Sequence, residues 1–453
     1  MPLGARTNWA SQPWMLVEHN DLEVEWQQAT EEGRDLASVE AEFADLRASQ
    51  LDTEELRVRA EALLDRVQEL PLVAGYAYEE PSDLDGIRAV RPEAALPPKG
   101  RPDRATLEDK ALGAWCGRAS GCLLGKPAEG RRRWQIEKYL KAQSRWPLDD
   151  YFSLQADAEL ARECGFDLSW RAAYTEGIDH MPEDDDTNYT VTGLAIYKQS
   201  GPGFTPVDVA RFWLSNIPIF HVCTAERVAY RNLVDGIGPP ASAACRNVYR
   251  EWIGAQIRAD FFGYVCPGDP ERAAGLAWRD ACISHVKNGI YGAMWVAAML
   301  AAAYVTDDPE AVIRAGMAQI PARCRLTAGL EHVLGLWQRR VDYWEAVEDL
   351  HARWKEDRSH DWCHTISNAE VVAMALLWGE RDFGRTICYS VMPGFDTDCN
   401  GATSGSVLGL MLGRKALPER WIAPMNDTLM TGVAGYHKVS LTAVAQETVE
   451  LMG

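Results

Sequence analysis

The chain has 453 residues, 47% of them hydrophobic, with a formal net charge of −20. That length buries a large core, as two to three domain-sized units or as one large domain with an extension. The acidic balance disfavours a nucleic-acid backbone as partner, and the longest apolar run, "YGAMWVAAMLAAAYV" at 291–305, is too short to span a bilayer and reads as a buried helix.

Eleven cysteines are scattered without a CxxC pair, which fits reduced thiols in a cytosol better than a disulfide framework or a zinc site. The N-terminal "MPLGARTNWASQ" lacks the apolar core of a secretion signal, so a cytoplasmic location is expected. Residues 21–70 read as amphipathic helices. In the second half Leu56, Ala60, Leu63, Leu64 and Val67 recur at helical spacing, and Asp52 followed by Glu55 resembles an N-cap signal. Pro71, Pro81, Pro92, Pro97, Pro98 and Pro102 then break any long helix, so residues 71–106 read as a connecting segment beside the main domain. Residues 1–106 are therefore expected to form an extension, and residues 107–453 a helical domain.

The first stretch of that domain, "LEDKALGAWCGRASGCLLGKPAEGRRRW" at 107–134, places Gly113, Gly117 and Gly121 four residues apart. Such a stripe lets a neighbouring helix approach closely. Gly125 and Pro127 end the helix and leave Glu129 in a turn, where an isolated acid is ordinarily just a solvated one. At 181–197, "MPEDDDTNYTVTGLAIY" opens a helix behind Glu183, Asp184, Asp185 and Asp186. One or two acids suit the positive end of a helix dipole; four in a row repel one another. "WIGAQIRADFFGY" carries Gly254 and Arg258, and Ser284-His285 precedes the apolar run. A single histidine near a helix start is commonly a structural hydrogen-bonder.

"MPGFDTDCNGATSGSVLGLMLG" at 392–413 sets Asp396 and Asp398 two residues apart before a run of small residues that begins at Gly401. One Asp suffices to cap a helix. A second at i+2 adds repulsion unless a cation lies between them, and hard divalent cations prefer carboxylate oxygens. Two acidic clusters 210 residues apart are thus candidates to meet and share one or two cations. No strand series, short repeat or low-complexity tract is evident, and the expected fold class is all-α with many helices.

Taken in this order the pieces resemble the ADP-ribosylglycohydrolase family. "GCLLGKPAE" (121–129) is similar to that family's G-D-x-x-G-x-P-x-E, "DDDT" (184–187) to its [S/T]-D-D-T, Ser284-His285 to its Ser/Thr-His pair, "GFDTDCNGATSGSVLG" to its G-G-D-x-D-[T/S] with a small-residue helix, and "LPERW" (417–421) to its P-x-x-W. The resemblance covers about residues 107–440. It implies an orthogonal multi-helix bundle around one or two Mg²⁺ or Mn²⁺ ions. Asp184, Asp185, Asp186, Asp396, Asp398 and Cys399 would be ligands, and Glu129, Asp185 and Asp398 catalytic. Gly254, Arg258, His285 and Gly401 would contact substrate. The implied activity is hydrolysis of the glycosidic bond at the anomeric ribose carbon of an ADP-ribosylated protein side chain. Two alternatives are the same cleavage of a small nucleotide or NAD-derived metabolite, and a non-catalytic protein on the same fold. Four departures stand out: Cys122 replaces an Asp, Cys399 a hydroxyl, Asp184 a neutral hydroxyl, and Phe395 a Gly. Sulfur is a poor partner for Mg²⁺.

Overall fold

A computed structural model of the chain describes residues 12–93 and 100–452. The leaderless reading of residues 1–11 and the prolines Pro97 and Pro98 lie outside the described residues. Helices follow one another from His19 to Leu451, and among the described residues the strands are one short antiparallel pair, Thr428–Met430 and Lys438–Ser440, with Leu429 opposite Val439. The all-α class is the one the sequence implies. No helix among the described residues is long and apolar enough to cross a membrane, and all eleven cysteines are free thiols.

The extension folds into helices His19–Glu31, Glu40–Ala48 and Glu54–Val67. The third buries Ala60, Leu63, Leu64 and Val67, the face its periodicity predicts. Its cap differs from the expected one. The helix starts one residue later than an Asp52 cap requires, and the Thr53 side chain accepts the Leu56 N–H instead. Among the described residues of the Pro-rich segment lie one short helix, Leu84–Val90, and, at Arg104, the start of the next.

A buried ion network fixes these segments to the rest of the chain. Arg250 donates to Glu25 at 2.6 Å and to Glu32 at 2.8 Å, and Lys287 reaches Glu32 at 2.9 Å. Arg325 pairs with Glu80 at 2.9 Å and Glu251 at 2.7 Å, while Asn288 donates to both carboxylates. Burial raises the Glu25 carboxyl despite the facing Arg250. Glu32 is held below the usual carboxylate range because Arg250, Lys287 and Arg325 outweigh its burial. Removing one member strands charges that water cannot reach. Arg250→Met should therefore cost about 3–5 kcal/mol, measured by urea unfolding. An unchanged midpoint would show that the network contributes nothing.

The core is organised around two structural features. The Lys287–Ala303 helix is buried from Asn288 to Ala303, so the 291–305 run is an interior helix. Beside it, a first glycine helix (Arg104–Gly125) lies antiparallel to a second (Thr397–Leu412). Gly113 meets Gly409, Gly117 meets Gly405, and Gly121 meets Gly401; at each of these positions a Cβ would land on the partner's carbonyl oxygen. Gly125 is likewise closed against Thr397, whose hydroxyl donates to the Gly125 carbonyl at 2.8 Å. Backbones that approach this closely bring the C-terminus of one helix and the N-terminus of the other to the same point. That point is the acidic centre.

Candidate active site

The first glycine helix contributes more than a packing face. One residue on from the glycines run Arg118, Cys122 and Lys126, again four apart, so they project from an adjacent face of the same cylinder. All three are buried. A 3₁₀ turn, Lys126–Ala128, follows and presents Glu129, which is exposed.

The second contribution comes from the Asp185–Ser200 helix. Asp184 is its N-cap, and its Oδ1 accepts the Asp186 N–H at 2.9 Å. The capping explanation therefore holds for this one acid. Asp186 is fully buried and held by Arg118, which donates to its Oδ1 at 3.0 Å and to its carbonyl at 2.7 Å. The same guanidinium pairs with Asp260 at 3.0 Å. Asp185 is half-buried on the first turn. Glu183, contiguous in sequence, is engaged with Asn188 and His221 instead.

The third contribution precedes the second glycine helix. Gly394 and Phe395 both take positive φ, 81° and 61°. This sharp turn explains why glycine suits position 395. Phe395 is 1% exposed and packs on His351 at 5.0 Å, contacts that offset the strain of a bulky residue there. Asp396 occupies the N-cap position, yet its side chain caps nothing. Its N–H donates to Asn368 Oδ1 at 3.1 Å, Asn400 steadies the same oxygen at 2.8 Å, and its Oδ2 accepts a weak thiol bond from Cys363 at 3.4 Å. The Asp396 carboxylate is turned inward instead.

These three contributions converge. Ligand atoms of Cys122, Asp184, Asp186 and Asp398 lie within 4.8 Å of one another, as do those of Asp396, Asp398 and Cys399, with Asp398 common to both groups. Asp186 Oδ2 and Asp398 Oδ1 are buried without a hydrogen-bond partner. Burial, then the charge of Asp398, pushes Asp396 well above the usual carboxylate range, and burial with the charge of Asp184 lifts Asp398 to about 6. Burial and Asp184 likewise raise Asp185. At Glu129, which is open to water, the charge of Asp398 is the leading cause of an upward shift. Asp184 goes the other way: burial would raise it, but the Lys126 ammonium holds it low. Orphaned buried carboxylate oxygens with mutually raised affinities for protons are the donor set a hard divalent cation fits. The Cys122 and Cys399 thiols, pushed well up by burial, are poor partners for Mg²⁺.

Four residues expected at the substrate are packed against other parts of the protein. Arg258 is 1% exposed, and its guanidinium is taken up by Asp280, Glu226, the Asp280 carbonyl and Ser284. Four of the five N–H donors of that guanidinium are thus engaged inside the protein. His285 is fully buried against Ser284 at 2.8 Å. Gly254 makes room for the Glu226 carboxylate, and Gly401 for Gly121. The sequence reading missed Arg118, Lys126, Cys363 and Asn368; the four-residue step from Arg118 to Lys126 was the available signal for two of them.

Glu31, His360 and His364 form another group of metal-ligand type between extension and core. Its hydrogen bonds argue against a metal. Nδ1 of His360 accepts the Trp252 indole N–H at 3.2 Å and Nδ1 of His364 accepts the Ile366 N–H at 3.1 Å. Each neutral ring therefore carries its proton on Nε2; that of His360 reaches Glu31 at 3.3 Å, while that of His364, 3.9 Å from Glu31, makes no hydrogen bond.

The family described as ADP-ribosylglycohydrolase matches residues 103–452. Among solved structures, a chain described as an ADP-ribosylglycohydrolase-related protein complex aligns at 18% identity with a TM-score of 0.48, covering 77% of this chain and 100% of its own. No curated protein sequence matches the chain. With the family match spanning both glycine helices and every acid of the centre, the chain belongs to the ADP-ribosylglycohydrolase family and is a glycoside hydrolase.

Proposed function

We propose that the protein hydrolyses the glycosidic bond at the anomeric ribose carbon of an ADP-ribosylated protein side chain, with a divalent cation, Mg²⁺ or Mn²⁺, as cofactor. The observation that carries this reading is the convergence of Asp184, Asp186, Asp396 and Asp398 on one buried point, with Asp398 shared between two ligand groups. A cation bound there would orient ribose hydroxyls and lower the pKa of a water. Such cleavage passes through an oxocarbenium-like transition state, beside which anionic side chains are favourable. Asp398, with its unpartnered oxygen, and the half-buried Asp185 would stabilise that positive charge. Glu129 is exposed beside these acids and can exchange a proton with a water or a leaving group. Glu129→Gln should lower kcat by about 10²–10⁴-fold and leave cation binding intact, as single-turnover kinetics and Mn²⁺ titration would report. Unchanged turnover would remove Glu129 from the mechanism.

A second reading keeps the bond and changes the leaving group to that of a small nucleotide or NAD-derived metabolite. It is favoured by the burial of the acidic centre: Asp184, Asp186, Asp396, Asp398 and Cys399 are each 6% exposed or less. A panel of ADP-ribosyl-arginine protein, ADP-ribosyl-serine peptide and NAD separates the two. Turnover of a protein conjugate supports the first reading, and turnover of NAD alone supports the second.

A further inference from the structure

Lys126 lies inside the acidic centre. It is 6% exposed, and its ammonium is ion-paired with Asp184 Oδ2. The ring of Trp170 covers the ammonium on another side at 4.6 Å. The residue paired with Lys126 belongs to the Cys122, Asp184, Asp186 and Asp398 group. On this side of the centre most carboxylate oxygens are already committed. Asp184 Oδ1 accepts the Asp186 N–H, Asp184 Oδ2 the Lys126 ammonium, and Asp186 Oδ1 the Arg118 guanidinium. The other side differs. Among the described residues Asp396 and Asp398 form no ion pair with a Lys, Arg or His, and Asp396 accepts a thiol.

A divalent cation of the Mg²⁺ or Mn²⁺ kind needs about six ligands, mostly oxygens, in a near-octahedral shell. The Asp184 side offers few uncommitted oxygens and already holds two fixed positive charges, Lys126 and Arg118, against three carboxylates. The Asp396 side offers Asp396, with no cation paired to it among the described residues, and Asp398, which it shares with the Lys126 side and which is not ion-paired either. We propose that the Lys126 ammonium is a tethered cation standing in for one of two divalent ions, so that the chain binds a single divalent cation, at Asp396 and Asp398. This rests on the reading of the acidic centre as a cation site. It assigns Lys126 as a positioning residue: it orients Asp184 and neutralises the charge that a second ion would otherwise neutralise.

The test is cation stoichiometry, measured on the whole chain by equilibrium dialysis against Mn²⁺ with metal analysis and by electron paramagnetic resonance. The unaltered protein should bind one Mn²⁺ per chain with the signal of an isolated ion. Lys126→Met should bind two, with the exchange-coupled signal of a pair, and Lys126→Arg should bind one. Two ions in the unaltered protein would overturn the proposal, as would one ion in a folded Lys126→Met. The first of these needs no variant, so a methionine variant that fails to fold does not shelter the idea. Binding of no ion by either protein would overturn both this proposal and the metal-dependent function. One ion becoming two, with no hydrolysis of any substrate, would retire the proposed function and leave Lys126 in its assigned place.

Discussion

Asp396→Asn should abolish tight Mn²⁺ binding and lower kcat/KM by about 10³-fold, since a bound metal supplies several kcal/mol of transition-state stabilisation and each 1.4 kcal/mol or so is a factor of ten. The same variant should unfold no earlier than the unaltered protein in EDTA. Both halves follow from one geometry. The Asp396 side chain caps no helix N–H, and its hydrogen-bond partner is a thiol that an amide oxygen also accepts. Its carboxyl is raised by burial and by the neighbouring Asp398 and Glu129, so without a cation the ionised form opposes folding. Removing that charge relieves the opposition and removes the ligand together. A gain or retention of stability alongside lost activity is the usual signature of a functional charge. A helix cap predicts the reverse, a loss of about 1 kcal/mol of stability with binding untouched. Thermal melts in EDTA and in Mn²⁺ distinguish them.

Gly117→Val should destabilise the fold by about 3 kcal/mol or more and take cation binding with it. At this position a Cβ would land on the Gly405 carbonyl oxygen, a backbone atom that cannot swing aside as a side chain can. Separating the two glycine helices would carry Cys122 and Lys126 away from Asp396 and Asp398. Gly203 is the control: it is exposed, and a Cβ there meets nothing within contact distance. Gly203→Ala should shift stability by less than about 0.5 kcal/mol. Urea unfolding compares the two, and equal midpoints would contradict the account of the helix pair.

The features legible in the sequence were those written locally. Glycines every fourth residue announce a close helix contact, and Asp396 with Asp398 announces a need for a cation. The contiguous acids at 184–186 open a helix as expected. What the sequence hid was the outcome of competition between partners distant in the chain. Arg258 carried the right chemistry for a phosphate, but Glu226 and Asp280 reach it first. His285 was written beside the serine that occupies it. Lys126 carried no signal of its own, because nothing local says that Asp184, 58 residues on, will meet it. Nothing local in the helices of the extension names a partner for Glu25 and Glu32, which are buried against Arg250. A carboxylate pattern shows demand for positive charge, and only the fold shows which cation meets it.

The most direct test of the central claim is release of free ADP-ribose by the metal-stripped protein before and after Mn²⁺ is restored, with ADP-ribosyl-arginine protein, ADP-ribosyl-serine peptide and NAD as substrates. The account predicts no release in EDTA and release from the protein conjugates or NAD on adding Mn²⁺. Release that persists in the stripped protein, or none from any substrate while Mn²⁺ is bound, would contradict it.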